Sequence, residues 1–171
     1  MGPVVEEPRG AAGGERMGPG SGDAGGGTGG GSGAGLGPRE VFARMRQQWL
    51  ANRSDAMESL LADDGVVEAP FAAPGMPRRI VGRQQFMAFA RAERALLPVR
   101  FEECRETAVH ETADPEVIVV EYELTGTVTT TGHRASAPFI GVLRVRDGKI
   151  AGWREYQDTS AIARALAAPP A

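Results

Sequence analysis

The 171-residue sequence contains one cysteine, two histidines and ten aromatic residues, six Phe, two Trp and two Tyr. A single thiol, Cys104, excludes an internal disulfide, and the isolated His110 and His133 do not provide zinc-ligand spacing. The N-terminus has no apolar signal core, and the apolar runs are too short to span a bilayer. We therefore expect a soluble, cytoplasmic protein with no metal site.

An excess of charge of one sign is also missing. The 22 acidic and 19 basic side chains give a formal net charge of −3, which offers little attraction to a nucleic-acid backbone or an anionic membrane. Gly-rich strings such as residues 31–35 lack the preceding strand and the following apolar turn that a nucleotide loop needs. We expect neither nucleic acid nor membrane as a partner, and no cofactor.

The glycines that are present concentrate at one end of the chain. Sixteen of the 24 lie between Met1 and Gly37, whereas every aromatic residue lies between Phe42 and Tyr156. A Gly-rich segment without aromatic residues gains too little from burial to offset its backbone entropy. We predict a disordered leader at residues 1–37 and one folded domain at residues 38–171.

Hydrophobic spacing predicts the elements of the folded part. Helical periodicity and end signals predict helices at residues 38–51, 54–62, 83–97 and, more briefly, about 159–167. Residues rich in Val, Ile, Tyr and Thr predict strands at 66–69, 99–111, 116–130, 135–146 and 149–157. Asp147-Gly148 is a strong hairpin signal between the last two strands. This order predicts an α+β protein with helices on one face of a curved antiparallel sheet.

Two strings in this part resemble a known superfamily. APFAAPGMPRRIVGR, residues 69–83, resembles a Pro-rich stretch of SnoaL-like proteins near the phenazine-biosynthesis A/B group. VRDGKIAGWREYQD, residues 145–158, is similar to the last hairpin of that group and of the limonene epoxide hydrolases. The resemblance covers about residues 38–167. It implies the cone-shaped α+β barrel of the nuclear transport factor 2-like and ketosteroid isomerase-like proteins, with a deep pocket between the sheet and the N-terminal helices.

The last predicted strand carries the carboxyl group that we expect to do chemistry. Strand alternation places Trp153, Glu155 and Gln157 on one face. The resemblance implies an acid where Glu155 stands, so this face should point into the pocket. Beside a tryptophan in an apolar cone, the pKa of a carboxyl group rises toward neutrality, as general acid/base catalysis requires. The alternative is an ion pair of Glu155 with Arg144 or Arg134.

A second catalytic carboxyl depends on the register of the strand at 116–130. Glu121 and Glu123 share one face of this strand, and Tyr122 and Leu124 share the other. By the resemblance, the Arg and Asp of the epoxide hydrolases would fall on Tyr122 and Leu124, which cannot supply either charge. A bulge that shifts the strand by one residue would instead turn Glu121 and Glu123 into the pocket. Without it, they would meet solvent or a second subunit.

The pocket wall is predicted to be apolar, because concave apolar pockets are the usual binding sites of small molecules. The candidate substrate-binding residues are Trp49, Val67, Phe71, Phe86, Phe89, Tyr122 and Trp153. Ordinary core packing is the alternative for each of them.

These features predict a cofactor-independent isomerase, cyclase or dehydratase that uses Glu155 on a hydrophobic secondary metabolite. Two alternatives stay open. One is a non-catalytic ligand-binding or dimerisation module of the same fold, and the other is an epoxide hydrolase in which Glu121 or Glu123 supplies the second acid. Apolar residues on the outer sheet face predict a homodimer.

Overall fold

The computed structural model describes residues 35–52, 55 and 57–169. In chain order the elements are α1 (Pro38–Leu50), β1 (Leu61–Glu68), β2 (Arg79–Val81), α2 (Arg83–Leu96), β3 (Val99–Glu111), β4 (Val117–Val128), β5 (Arg134–Arg146), β6 (Lys149–Gln157) and α3 (Thr159–Ala167). This order confirms the predicted α+β class. Most of the predicted leader lies outside the described residues, but Leu36 already packs against the core.

The sheet is curved, open and mixed. Its strand order is β2-β1-β6-β5-β4-β3. All neighbouring pairs are antiparallel except β1 and β6, which run parallel. The wholly antiparallel sheet expected from the sequence is corrected at this one pair. No hairpin connects β1 to β6, so no turn requires them to run in opposite directions.

The predicted helix at 54–62 is wrong. Residues 57–60 form turns, and Leu61 already begins β1, five residues before the strand start predicted at residue 66. Ser54, the expected N-cap, lies outside the described residues. Leu61 is buried and pairs with Ile150 of β6. A helix of this length is marginal by itself, so pairing in the sheet decides the structure of the segment.

The core lies between α1 and the concave face of the sheet. Val41, Phe42 and Met45 form the fully buried stripe of α1. Alternate residues of the strands face this stripe, as expected for a sheet with one buried face. The buried residues of β4, β5 and β6 include Ile118, Val120, Tyr122, Phe139, Leu143, Val145, Ile150 and Trp153.

Asn52, just beyond α1, connects that helix to the edge of the sheet. Its backbone φ is 56°, a left-handed conformation that Asn tolerates better than most residues. Its Nδ2 donates to the carbonyl oxygens of Leu50 and Phe101 at 2.9 and 3.0 Å. Its Oδ1 accepts from the Phe101 N–H at 2.9 Å and from Arg94 at 2.6 Å. Because Phe101 belongs to the edge strand β3, the side-chain amide pairs with it as a neighbouring strand would.

Asn52→Ala should lower the free energy of unfolding by about 2 kcal/mol, because it leaves both backbone groups of Phe101 without these partners. Asn52→Asp is the matched control. It keeps the acceptor for Phe101 and Arg94 but loses the donor, so an intermediate loss is expected. Urea unfolding measures both. An alanine variant within roughly 0.5 kcal/mol of wild type would show that the amide does not stabilise this edge.

No helix in the described ranges is long and apolar enough to cross a membrane. The same residues contain no group of three or more His, Cys, Asp or Glu side chains placed to hold a metal ion.

Candidate active site

Strand β6 turns Trp153, Glu155 and Gln157 toward the concave side of the sheet. Ile150 and Trp153 are both buried although they are three residues apart, because the pairing of β6 with β5 shifts by one residue between them. Beyond this bulge the strand alternates regularly. The inward direction expected for the face with Glu155 is therefore the one that the structure shows.

Both carboxyl oxygens of Glu155 are hydrogen-bonded. The Tyr122 hydroxyl donates to Oε1, and Nε2 of Gln157 donates to Oε2 at 2.6 Å. Tyr122 comes from β4 and Gln157 from the end of β6. Tyr122 thus reaches the carboxyl group from across the sheet, and Gln157 reaches it from the same strand.

The ion pair considered for Glu155 is not formed with either predicted arginine. Arg144 pairs with Asp114 at 2.9 Å, and Arg134 pairs with Glu102 at 3.1 Å. Within residues 35–52 and 57–169, no Lys or Arg lies within ion-pair distance of Glu155. Hydrogen-bond donors, not a cation, therefore compensate the carboxyl group there.

Aromatic rings enclose Tyr122, whose exposed fraction is 1%. Phe139 stacks on it with ring centroids 5.2 Å apart and planes at 8°, and Trp49 stacks at 5.4 Å and 25°. Phe42 contacts the Tyr122 ring at 5.6 Å and stacks on Trp153 at 6.4 Å. These contacts hold the phenol ring in place, so that its hydroxyl points at Glu155.

Burial is the largest influence on the pKa of Glu155 and raises it above the ordinary value, while hydrogen bonds from Tyr122, Gln157 and Trp153 act in the opposite direction. Burial, together with the nearby Glu155 charge, raises the pKa of the Tyr122 hydroxyl. Burial also raises the pKa of the nearby Cys104 thiol to about 11. Tyr122 and Cys104 therefore stay protonated at neutral pH, and Glu155 is the group placed to exchange a proton.

Stability should fall as the pH rises above about 4.5, the ordinary pKa of a glutamate. Because the folded-state pKa of Glu155 is higher than its unfolded-state value, the folded protein binds this proton more tightly. The resulting stabilisation is fully present below the unfolded pKa and is lost as the pH rises through the folded pKa. Glu155→Gln should reduce this loss. Urea unfolding at several pH values, compared between the two proteins, measures the effect, and identical pH dependence would contradict it.

Strand β4 presents Tyr122 to the interior and Glu121 and Glu123 to the outside. The pairing of β4 with β5 contains no register shift. Glu121 contacts His110 at 2.9 Å, and Glu123 contacts Arg105 at 3.3 Å, all on the outer face. The shifted register that would turn these two glutamates inward is absent, so the expectation that they join Glu155 is corrected.

Most of the predicted lining residues pack into or against the core: Trp49, Val67, Phe86, Tyr122 and Trp153. Phe89 is half-buried on α2. Phe71 is different, since it is 64% exposed and contacts Tyr156 edge-on at 5.4 Å. Tyr156 alternates with Glu155 along β6, so Phe71 lies on the other side of the sheet and does not line the concave face.

Two contributions to the site escaped the sequence reasoning. The contact of Tyr122 with Glu155 joins strands that are separated by β5, and no local pattern could reveal it. Gly141 of β5 makes room for the indole of Trp153, because a Cβ at this position would lie 2.0 Å from the ring. A glycine within an alternating strand was the available signal, since it often marks a close approach.

The family model described as SnoaL-like domain matches residues 42–153. This chain belongs to the SnoaL-like domain family. The resemblance inferred from the two strings is thereby confirmed. The matched range ends before Glu155, at Trp153 of the same strand.

One relative in sequence and two solved structures are similar to this chain. An uncharacterized PhzA/B-like protein of Pseudomonas aeruginosa is 36% identical over 97 residues, which span 57% of this chain and 67% of that protein. A provisionally named isomerase of Bacillus subtilis has a solved structure with a TM-score of 0.69 and 22% identity, covering 75% of this chain and 91% of that one. A provisionally named polyketide cyclase of Xanthomonas campestris has a TM-score of 0.62 and 20% identity, covering 76% and 96%. At 22% and 20% identity, these two structures show a shared fold alone.

Proposed function

We propose that this SnoaL-like protein transfers a proton on a hydrophobic small molecule, as a cofactor-independent isomerase, cyclase or dehydratase with Glu155 as its general acid/base. The observation that carries the proposal is the half-buried Glu155, whose carboxyl group is held by Tyr122 and Gln157 and lies beside the buried Trp153. A carboxyl group with a raised pKa and no described cationic partner holds a proton more tightly than an exposed glutamate does, which suits a group that takes up and returns a proton. The family, whose structural neighbours are named as isomerases and polyketide cyclases, supports this class of reaction.

The three reaction types share one step that this site can perform. The Glu155 carboxylate takes a proton from a carbon next to an electron-withdrawing group, and the C–H electron pair moves into the substrate. The protonated carboxyl group then returns the proton to another carbon or to a leaving oxygen. The aromatic surroundings favour an apolar substrate, and the described residues at the carboxyl group offer no cation for a phosphate or carboxylate.

The ring opening of nitrobenzisoxazole tests the proposal without knowledge of the natural substrate. A base removes the proton on carbon, the N–O bond breaks, and a coloured cyanophenolate forms. Wild-type protein should accelerate this reaction over an equal concentration of acetate by about 100-fold or more. Glu121→Gln and Glu123→Gln, which remove outer-face carboxylates, should keep the rate. A wild-type rate equal to that of acetate would contradict the proposal.

A non-catalytic module of the same fold is the second candidate. The observation in its favour is that the rings around Tyr122 touch one another, with centroids 5.2 to 6.4 Å apart, as in a packed core. In that case Glu155 would stay bound to Tyr122 and Gln157, and the probe reaction would show no acceleration. We do not propose an epoxide hydrolase, because Glu121 and Glu123 lie on the outer face and cannot supply its second acid.

We also propose that two copies associate through the outer sheet face. Ile140 is 44% exposed there, and Val119 and Val142 lie beside it, half-buried. The neighbouring Glu121 is paired within the chain, which leaves an apolar centre for contact. Sedimentation should show a dimer at micromolar concentration, and Ile140→Glu should produce monomers. Leu96→Glu, an exposed leucine at the end of α2, is the matched control, and a monomeric wild type would contradict the proposal.

A further inference from the structure

The two oxygens of the Glu155 carboxyl have different surroundings. Oε1 meets the hydroxyl of Tyr122, a residue with 1% exposure deep in the concave face. Oε2 meets the amide of Gln157, a half-buried residue that ends β6. One oxygen is therefore held by a rigid interior group, and the other by a side chain at the end of the strand.

The partner of Oε1 serves only as a donor. The Tyr122 ring is stacked between Phe139 and Trp49, which prevents the phenol from turning away. If Oε1 carried a proton, the Tyr122 oxygen would have to accept it, and its own hydrogen would need another acceptor. In the described part of the chain the Tyr122 hydroxyl makes no hydrogen bond besides that to Glu155. Oε1 is thus the oxygen that accepts in both protonation states.

The partner of Oε2 can serve both protonation states. A glutamine amide carries an NH₂ donor and a carbonyl acceptor, and rotation about its last side-chain bond exchanges them. With Glu155 ionised, the amide of Gln157 donates to Oε2, as observed at 2.6 Å. With Glu155 protonated on Oε2, the amide carbonyl can accept the new O–H. In both states Oε2 therefore has a hydrogen-bond partner in Gln157.

We propose that Oε2 is the oxygen of Glu155 that carries and transfers the proton, with Gln157 and Tyr122 as positioning residues. Gln157 forms a hydrogen bond with Oε2 in both protonation states, and the hydrogen bond from Tyr122 keeps Oε1 in place. The catalytic meaning of this assignment rests on the proposed function. The location of the proton is a property of the protein alone and can be measured without a substrate.

The titration of Glu155 can be distinguished from the titration of the groups around it. Tyr122 and Cys104 stay protonated, and the guanidinium of Arg46 is engaged with the Cys104 carbonyl at 2.9 Å and with Glu106 at 3.4 Å. Asp158, which follows Gln157 along the chain, accepts from the backbone of α3 at Ala161. The groups that β5 and β1 place nearby, Phe139, Gly141 and Val67, do not titrate.

Nuclear magnetic resonance of the full-length labelled chain tests the assignment. As the pH is varied, the side-chain amide signals of Gln157 should change with the same midpoint as the Glu155 carboxyl carbon, because the amide reverses. The Tyr122 ring carbon that bears the hydroxyl should change less, because this hydroxyl donates to Oε1 in both protonation states. The exposed amide of Gln47 is the internal control. A Tyr122 signal that follows the Glu155 midpoint, with a Gln157 signal that does not, would overturn the assignment.

Two variants extend the test. In Tyr122→Phe the ring is kept and the donor to Oε1 is lost, so the Glu155 midpoint should rise while the Gln157 response persists. In Gln157→Met the midpoint should also rise, because the donor to Oε2 is lost. Unchanged Glu155 midpoints in both variants would overturn the assignment of Tyr122 and Gln157 as positioning residues. The NMR experiment involves no substrate. Failure of nitrobenzisoxazole ring opening would therefore refute the proposed function without deciding which oxygen of Glu155 carries the proton.

Discussion

Glu155→Gln should lower the rate of nitrobenzisoxazole ring opening by about 100-fold or more. Glutamine has nearly the same shape and can accept the hydrogen bond from Tyr122, so the fold should be kept. Its amide cannot take up a proton from carbon at neutral pH. The loss should therefore appear in the rate of the chemical step, measured as the absorbance of the phenolate.

The control for this prediction is a glutamate of the same sheet whose side chain lies on the opposite face. Glu121 lies on the outer face, where it contacts His110. Glu121→Gln should retain the wild-type rate, and circular dichroism should show both variants folded. If Glu155→Gln keeps more than about a third of the wild-type rate, another group is the base.

Gly141→Ala should lower the free energy of unfolding by about 3 kcal/mol. A Cβ at this position would lie 2.0 Å from Cη2 and 2.5 Å from Cζ3 of Trp153. Trp153 is itself buried and stacked on Phe42, so the indole has little room to retreat. Urea unfolding measures the loss, and tryptophan fluorescence reports the displacement of the ring.

Gly152→Ala is the matched control, because it makes the same change one strand away. There the nearest atom to the new Cβ is Cβ of Arg144 at 3.6 Å, an ordinary contact. We expect a change within roughly 1 kcal/mol. Equal losses in the two variants would show that the cost comes from glycine replacement in general and not from contact with Trp153.

Local patterns predicted much of the fold. The strands at 99–111 and 149–157 have the predicted boundaries, and the strand predicted at 135–146 begins one residue earlier. The Asp147-Gly148 signal is realised as a tight turn in which both residues have positive φ, 53° and 72°. Alternation and turn chemistry act over a few residues, so they can be read from neighbouring positions.

Other parts of the fold depend on contacts between distant segments. From the sequence alone, the apolar residues near Leu60 and Leu61 fit a short helix as well as a strand. The pairing of Leu61 with β6 decides for the strand. The parallel direction of β1 and β6 likewise follows from which strands become neighbours. A short apolar segment can suit either structure, and tertiary pairing selects one of them.

The candidate site, like the fold, was predicted only in part. Alternation together with the family resemblance identified Glu155 and the face that it shares with Trp153 and Gln157. The positions of Glu121 and Glu123 depended on register, and the regular pairing of β4 with β5 places them outside. Phe71 was misplaced because nothing in its Pro-rich loop shows which side of the sheet the loop follows.

The sequence by itself determined the α+β class, the family, the strand boundaries of the second half and the carboxyl group most suited to chemistry. Only the tertiary structure decided that Tyr122 and Gln157 hold that carboxyl group, that Gly141 admits Trp153, and that Glu121 and Glu123 point outward. The physical reason is the range of the interactions. Alternation specifies which residues share a face, but the group that lies opposite depends on how strands far apart in the chain are aligned.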